Sequence, residues 1–202
     1  MVCGIGPSAA GKAAGLMLFQ KIDCLISWGT AAALTEDVFM GDLIIPEYIH
    51  AESGDIYQTD DVCSCNLKKK INSGLVKMHT GLLAETGVVL ENPAQKAELV
   101  RKTGAIAADM ESAAIMQVAQ KNSLPCIAVR TVVDESDNAV PAELTRHIDI
   151  FGEPDIPGII TEFILRPRLI RNTYSLFRGM KIALKTLDMI AAEIDGSIMQ
   201  AV

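Results

Sequence analysis

Aromatic residues are scarce in this chain: one tryptophan, three tyrosines and five phenylalanines among 202 residues. Proteins that stack nucleobases on aromatic platforms carry more, and a net charge of −7 removes the basic surface that general nucleic-acid binding requires. Long apolar runs are missing too. The longest stretch without a charge is the 12 residues 24–35, whereas a helix crossing a hydrocarbon core needs about 20. Histidine is limited to His50, His79 and His147, which stand apart, and Cys63-Ser64-Cys65 has no second pair at zinc-ligand spacing, so no metal site is expected. The five cysteines (Cys3, Cys24, Cys63, Cys65, Cys126) are odd in number and scattered, which argues for a reducing cytoplasm over a disulfide framework. Residues 1–20 have no basic start and are interrupted by Lys12, so they read as structure rather than a secretion signal.

What is present is a half-hydrophobic chain in which short apolar runs alternate with helical patterns. The pattern predicts a strand at 2–5, a small-residue helix over 8–20, a strand at 24–28, a turn at 29–34 and a strand over 42–49. A polar excursion at 51–61 and a short helix with Lys68, Lys69 and Lys70 lead to a strand over 76–83. Asn92-Pro93 is a helix cap followed by proline at the first helical position, and Gly104 ends that helix. A buried strand at 105–109, a helix over 111–122 and a central strand at 126–133 follow, and beyond Pro157 the pattern is helical. Such alternation predicts an α/β fold: one three-layer domain over 1–202, a largely parallel, mixed central sheet between helices, and a helical extension over 157–202. Charge divides along the same line. Residues 1–155 hold 12 Lys/Arg against 21 Asp/Glu, and 156–202 hold 6 against 4.

One short string suggests phosphate binding. Residues 6–13, GPSAAGKA, fit the G-x4-G-K spacing of a phosphate loop between a strand and a helix, but Ala13 replaces the hydroxyl that would hold magnesium. The alternative is that glycine and alanine let this helix pack closely.

A second signature is spread more widely. The segments CGIGPSAAGKAAGLMLFQKIDCLISWGTAAAL (3–34), MGDLIIP (40–46) and GAIAADMESAAIMQVAQKNSLPCIAVRTVVDES (104–136) resemble, in order, the purine nucleoside phosphorylase and nucleosidase family. Within it they resemble the branch of methylthioadenosine/S-adenosylhomocysteine nucleosidases and hopanoid-associated phosphorylases. The resemblance implies cleavage of a purine N-glycosidic bond by phosphate or water, no cofactor beyond phosphate as a co-substrate, an oligomer, and an adenosylated hopanoid lipid as one candidate substrate. It also implies that the chain lacks the family's first strand, with activity in question for that reason.

The chemistry matches. A purine leaves a sugar readily only if a ring nitrogen is protonated as an oxocarbenium-like sugar forms. Asp134, after the apolar run ending at Val133, is placed at the carboxyl end of a buried strand, where α/β sheets bind ligands and burial raises a carboxyl pKa. The resemblance assigns Asp134 to purine N7 and associates aspartate there with 6-aminopurines. It assigns Glu111 to the ribose hydroxyls, Met110 to an apolar contact under the sugar, and the Asp109–Met110–Glu111 stretch as a whole to substrate binding. Gly29, Thr30, Ala31 and Ala32 would line the nucleophile pocket. Arg130 either orients Asp134 or Glu111 or sits in a buried ion pair.

Three functions therefore stand side by side: a nucleoside-cleaving enzyme, a weakened nucleoside-binding protein of the same fold, and a phosphate-loop hydrolase. The tail adds a partner expectation. Arg166, Arg168, Arg171, Arg178, Lys181 and Lys185 lie among apolar residues with no acid over 166–185. Such a stretch fits peripheral contact with an anionic inner-membrane surface, or a helix packed on the acidic body.

Overall fold

The computed structural model describes residues 6–71, 74, 76–140 and 169–194. Helix α1 (Pro7–Met17) starts where Gly6 turns at φ 93° and Pro7 supplies a preset first helical residue. Two long strands, β1 (Leu25–Ala33) and β8 (Cys126–Asp134), form the centre. Between them in sequence come β2 (Leu43–Ile44), β3 (Tyr48–His50), β4 (Ile56–Gln58), α2 (Asp61–Lys70), β5 (Met78–His79), β6 (Leu82–Glu85), α3 (Pro93–Thr103), β7 (Ala107–Asp109) and α4 (Ser112–Lys121). A last described helix, α5, spans Leu169–Ile194. Side chains cap α2 and α3 as their sequences imply. Asp60 accepts from the Cys63 N–H at 2.7 Å, Asn92 accepts from the Gln95 N–H at 3.0 Å, and Gly104 closes α3 at φ 72°.

The strands make one eight-stranded sheet in the order β4-β3-β6-β7-β1-β8-β2-β5, and four of its seven neighbouring pairs are parallel. Alternation along β8 sorts the two faces. Cys126, Ala128 and Val132 join the core beneath α1 and α4, with Ala14, Ala113 and Met116. Ile127 and Val129 point the other way, to Leu67 of α2 and Ile190 of α5. Three layers result, as the alternation of elements predicts. Helix α3 covers the end of β6 and β7, setting Leu99 and Val100 against Leu34, Ala84 and Ala108.

Several boundaries differ from the sequence pattern. The run 42–49 breaks into β2 and β3 around Pro46, which has no N–H to offer a ladder. The run 76–83 breaks between His79 and Leu82, and the polar excursion contains β4, which pairs antiparallel with β3. Residues 29–33 are strand, not turn: Ala32 is registered with Asp134 on one side and Ala108 on the other. Neighbours on both sides of the ladder outweigh the glycine and alanine composition. The expected strand at 2–5 and the parts of the extension over 157–168 and 195–202 lie outside the described residues.

The central pair contains one irregularity. Ala31 pairs with Val132 and Ala32 with Asp134, so Val133 is an extra residue in β8, a bulge next to the strand's last residue. Helix α5 lies against it so closely that a Cβ on Gly179 would fall 1.9 Å from the Val133 carbonyl oxygen.

Candidate active site

Asp134 ends β8 just past the bulge and is 5% exposed. Its Oδ2 accepts a hydrogen bond from Lys96 Nζ at 2.5 Å. Burial pushes the carboxyl above the ordinary carboxylate range, and the Lys96 ammonium pulls it partly back. A buried acid raised in this way keeps its proton to a higher pH than an exposed aspartate does, the property that donation to a basic ring nitrogen requires.

Glu111 stands in the joint between β7 and α4. Its Oε1 accepts the Gly6 N–H at 2.9 Å, which ties the start of α1 to this joint. Strand β1 separates β7 from β8, which offsets the two segments laterally by about 10 Å, two strand spacings, and because β7 runs antiparallel to both, Glu111 leaves it in the direction opposite to that in which Asp134 ends β8. Side chains reaching inward across that gap could hold a ligand with a sugar at one end and a base at the other. Met110, partly buried, lies on the β7 side of Glu111. Thr30 and Ala32 are partly exposed along β1, and Ala31 is buried.

Asp109 and Arg130 lie beneath this surface. Their side chains are 0% and 2% exposed and bond to each other: Arg130 Nε and Nη2 both stand 2.7 Å from Asp109 Oδ2. Nη1 donates to the Ser27 carbonyl at 2.7 Å and Nη2 to Ser27 Oγ at 2.6 Å, while Ser112 Oγ donates to Asp109 Oδ2 at 2.5 Å. Of the two arrangements open for Arg130, the structure shows the buried ion pair, with neither Asp134 nor Glu111 as its partner. The reason is register. Arg130 is level with Gly29, and its guanidinium crosses β1 there to reach β7; a Cβ on Gly29 would already touch Nη1 at 3.5 Å. Asp109, expected to contact substrate, takes part in this buried network through Oδ2, and Gly29 lies where the guanidinium crosses β1.

Two residues near the site are not anticipated by motif. Glu85, registered beside Asp109 at the end of β6, accepts the Ala114 N–H at 2.9 Å. Burial raises its carboxyl, and Asp109, Glu111 and Glu52 add to the effect. Lys96 is the other. Its sequence signal is helical phase: Lys96, Leu99, Val100 and Thr103 fall at i, i+3, i+4 and i+7, which puts a lysine on the core face of α3.

A cavity of about 180 Å³ opens beside the acid, lined by Glu36, Val38, Phe39, Glu135, Ser136 and Asp137. A larger one, about 500 Å³, lies at the opposite end of β8, by Cys126, Asp60 and Tyr57. The strand's nine residues separate them by about 26 Å, and Asp134 adjoins the smaller through Glu135, the next residue in the chain. Gly11 of the GPSAAGKA string packs against Ala114 of α4, its Cβ position 3.9 Å from that of Ala114, and Lys12 points to solvent. No group of three His, Cys, Asp or Glu residues with metal-holding geometry occurs among the described residues, and no described helix is long and apolar enough to cross a membrane.

Comparison with known proteins gives a consistent picture. The 5'-methylthioadenosine/S-adenosylhomocysteine nucleosidase of Buchnera aphidicola (strain APS) is 30% identical over 164 residues, 72% of this chain and 71% of the relative. The enzyme of the same name from Thermotoga maritima is 26% identical over 65% of this chain and 63% of its own length. Among solved structures, the nucleosidase of Neisseria meningitidis bound to methylthio-immucillin-A superposes with a TM-score of 0.72, at 18% identity over 95% of this chain and 78% of that one. The futalosine hydrolase of Helicobacter pylori gives 0.70 at 17% identity, over 94% and 75%. The sequence profile of the phosphorylase superfamily matches residues 1–153, three quarters of the chain, and with the Buchnera relative it makes this protein a member of that superfamily.

Proposed function

We propose that the protein cleaves the N-glycosidic bond of an adenine nucleoside, with water as the nucleophile. The observation that carries this is a pair of carboxyls flanking β1: Asp134, buried and raised above the ordinary carboxylate range, at the end of β8, and Glu111 in the joint after β7. Asp134 donates its proton to N7 of the base as the bond from C1′ to N9 breaks, so adenine leaves neutral; water forms the new bond to C1′, and the proton it loses restores the Asp134 acid by way of solvent. Glu111 accepts hydrogen bonds from the ribose 2′ and 3′ hydroxyls. It orients the sugar and stabilises positive charge developing on the ring. Met110 supplies an apolar contact to the sugar, and Thr30 and Ala32 border the side from which the nucleophile enters. Adenine as leaving group is supported by aspartate at position 134 and by the names of the relatives. Water is supported by Arg130: the cation nearest Gly29 is bonded to Asp109 and Ser27, which removes it as a phosphate ligand.

The test is to incubate the protein with adenosine, 5′-methylthioadenosine and S-adenosylhomocysteine, with and without phosphate, and to separate the products. Free adenine and a reducing sugar are expected, independent of phosphate. Asp134→Asn should lower the rate by a factor of about 10² to 10⁴ with a smaller change in binding. No adenine from any of the three, or equal rates in the variant, would refute the assignment; a sugar 1-phosphate would replace water by phosphate.

A second feature bears on where the substrate is met. On α5, Tyr174, Phe177 and Leu184 are 70%, 63% and 50% exposed, and Arg178, Lys181 and Lys185 are exposed beside them. An apolar stripe edged by cations suits peripheral contact with an anionic bilayer, and would bring the protein to a nucleoside carrying a lipid 5′ substituent, such as an adenosylated hopanoid.

A further inference from the structure

The group that holds Asp134 comes from outside the strands that build the site. Lys96, 1% exposed, extends from the first turns of α3, whose start is set by the Asn92 cap and Pro93. Its ammonium has three donors and meets three acceptors: Asp134 Oδ2 at 2.5 Å, the Glu135 carbonyl at 2.5 Å and the Asn138 carbonyl at 3.1 Å. Two of the three belong to the backbone after β8, so one cation joins the acid to the loop beside the small cavity. Leu99 and Val100, on the same face of α3, fix the helix against Leu34, Ala84 and Ala108. Burying an ammonium costs several kcal/mol unless it is well paired, and a methionine would fill this space without that cost. What distinguishes lysine here is what it holds.

We infer that Lys96 is a positioning residue for the glycosidic cleavage: it occupies Oδ2 of Asp134 and leaves Oδ1 as the oxygen that delivers the proton to the base. The inference rests on Asp134 being the proton donor. It also has an electrostatic consequence. The charged groups facing Asp134 are Lys96 from α3 and the acids Glu135 and Asp137 from its own loop. Of the other elements packed at this end of β8, β1 offers Ala32, α5 offers Gly179 beside Val133, and the segment before β2 brings Asp42, paired with His79, alongside Val132. With the ammonium removed, burial and two acids act unopposed, and Asp134 must titrate higher.

The experiment compares the full-length protein with Lys96→Met and Lys96→Arg. The Asp134 carboxyl is followed by carbon-13 NMR through a pH titration and identified by its absence in Asp134→Asn; adenine release is measured over the same pH range. In Lys96→Met the carboxyl should titrate at least about one unit higher, as expected for losing an adjacent opposite charge. The alkaline fall of kcat/KM should move up with it, while kcat drops by about 10² from mispositioning and KM changes little. Lys96→Arg, which keeps the charge, should restore the titration and the position of the pH profile. An unchanged titration and profile in Lys96→Met, even with lower thermal stability, would reduce Lys96 to a structural ion pair and overturn the inference. If Lys96→Met does not fold, the Lys96 ammonium nitrogen-15 signal in the wild type decides: it should shift through the pH range where Asp134 titrates, and a signal blind to that range overturns the inference. Should the wild type release no adenine, the proposed function fails on that result alone, while the titration still decides whether Lys96 controls Asp134.

Discussion

Gly179 carries no functional group and lies 45 positions from Asp134 in sequence, yet Gly179→Ala should damage both stability and catalysis. The new Cβ would sit 1.9 Å from the Val133 carbonyl oxygen and 3.3 Å from Met40 Sδ. A carbon and a carbonyl oxygen approach to about 3.3 Å at the closest, so α5 and the bulge must part by about 1.4 Å. Neither side can yield cheaply, because the obstacle is backbone. Overpacking of this kind costs about 1–3 kcal/mol, which for a chain of this size lowers the midpoint of thermal unfolding by about 3–9 °C. The displaced residue is the one before the acid, and a 1 Å error in placing a catalytic group costs about 10² in rate. Thermal unfolding and kcat for adenine release, measured on the same preparation, test both parts. Gly15→Ala is the matched control: nothing lies within 4 Å of a Cβ at Gly15, inside α1, so helix propensity alone should raise stability by up to about 1 kcal/mol with kcat unchanged. If Gly179→Ala melts and turns over like the wild type, the close approach of α5 to the bulge is refuted, and with it the argument that the helix sets the acid.

Glu85→Gln keeps the acceptor for the Ala114 N–H and removes a charge from beside Asp109, Glu111 and Glu52. Because the folded carboxyl is raised, the native state binds more protons than the unfolded chain, so wild-type stability falls as pH rises through the ordinary carboxylate range to the raised value. Thermal melts should show Glu85→Gln gaining on the wild type between pH 4 and pH 7; a constant difference would contradict the carboxylate cluster. For α5, reversing Arg178, Lys181 and Lys185 to glutamate should abolish co-sedimentation with phosphatidylglycerol vesicles at low salt. A wild type that stays in the supernatant would remove the membrane contact from the proposal.

The framework of the fold is legible in the sequence because it follows local rules. Asn92-Pro93 and Gly104 bound α3 within a residue of where the sequence signals place it, and the apolar run ending at Asp134 is the central strand. Residues 29–33 read as a turn because their glycine and alanines carry turn-like local preferences, whereas their strand state comes from neighbours far away in sequence, Ala107, Ala108 and Asp134. The same limit applies at the candidate site. Asp134 and Glu111 stand in motifs, but Lys96 and Glu85 look like ordinary helix and strand-end charges until α3 and β6 are folded against the strands they serve. Arg130 has two open sets of partners in sequence, and only the register across Gly29 selects Asp109.

The Arg130–Asp109 pair has a bearing on how this scaffold could change its substrate. Arg130 belongs to the strand that ends in Asp134, and Asp109 to the one that leads into Glu111, so a buried contact across β1 fixes the two candidate site segments relative to each other. The walls of the small cavity, by contrast, are surface segments: Glu36 and Phe39 before β2, and Glu135, Ser136 and Asp137 after β8. The buried tie and the cavity wall are therefore separable parts. Exchanging the wall segments should reshape the cavity while the tie across β1 stays as it is, whereas altering the tie would disturb both of the strands it joins.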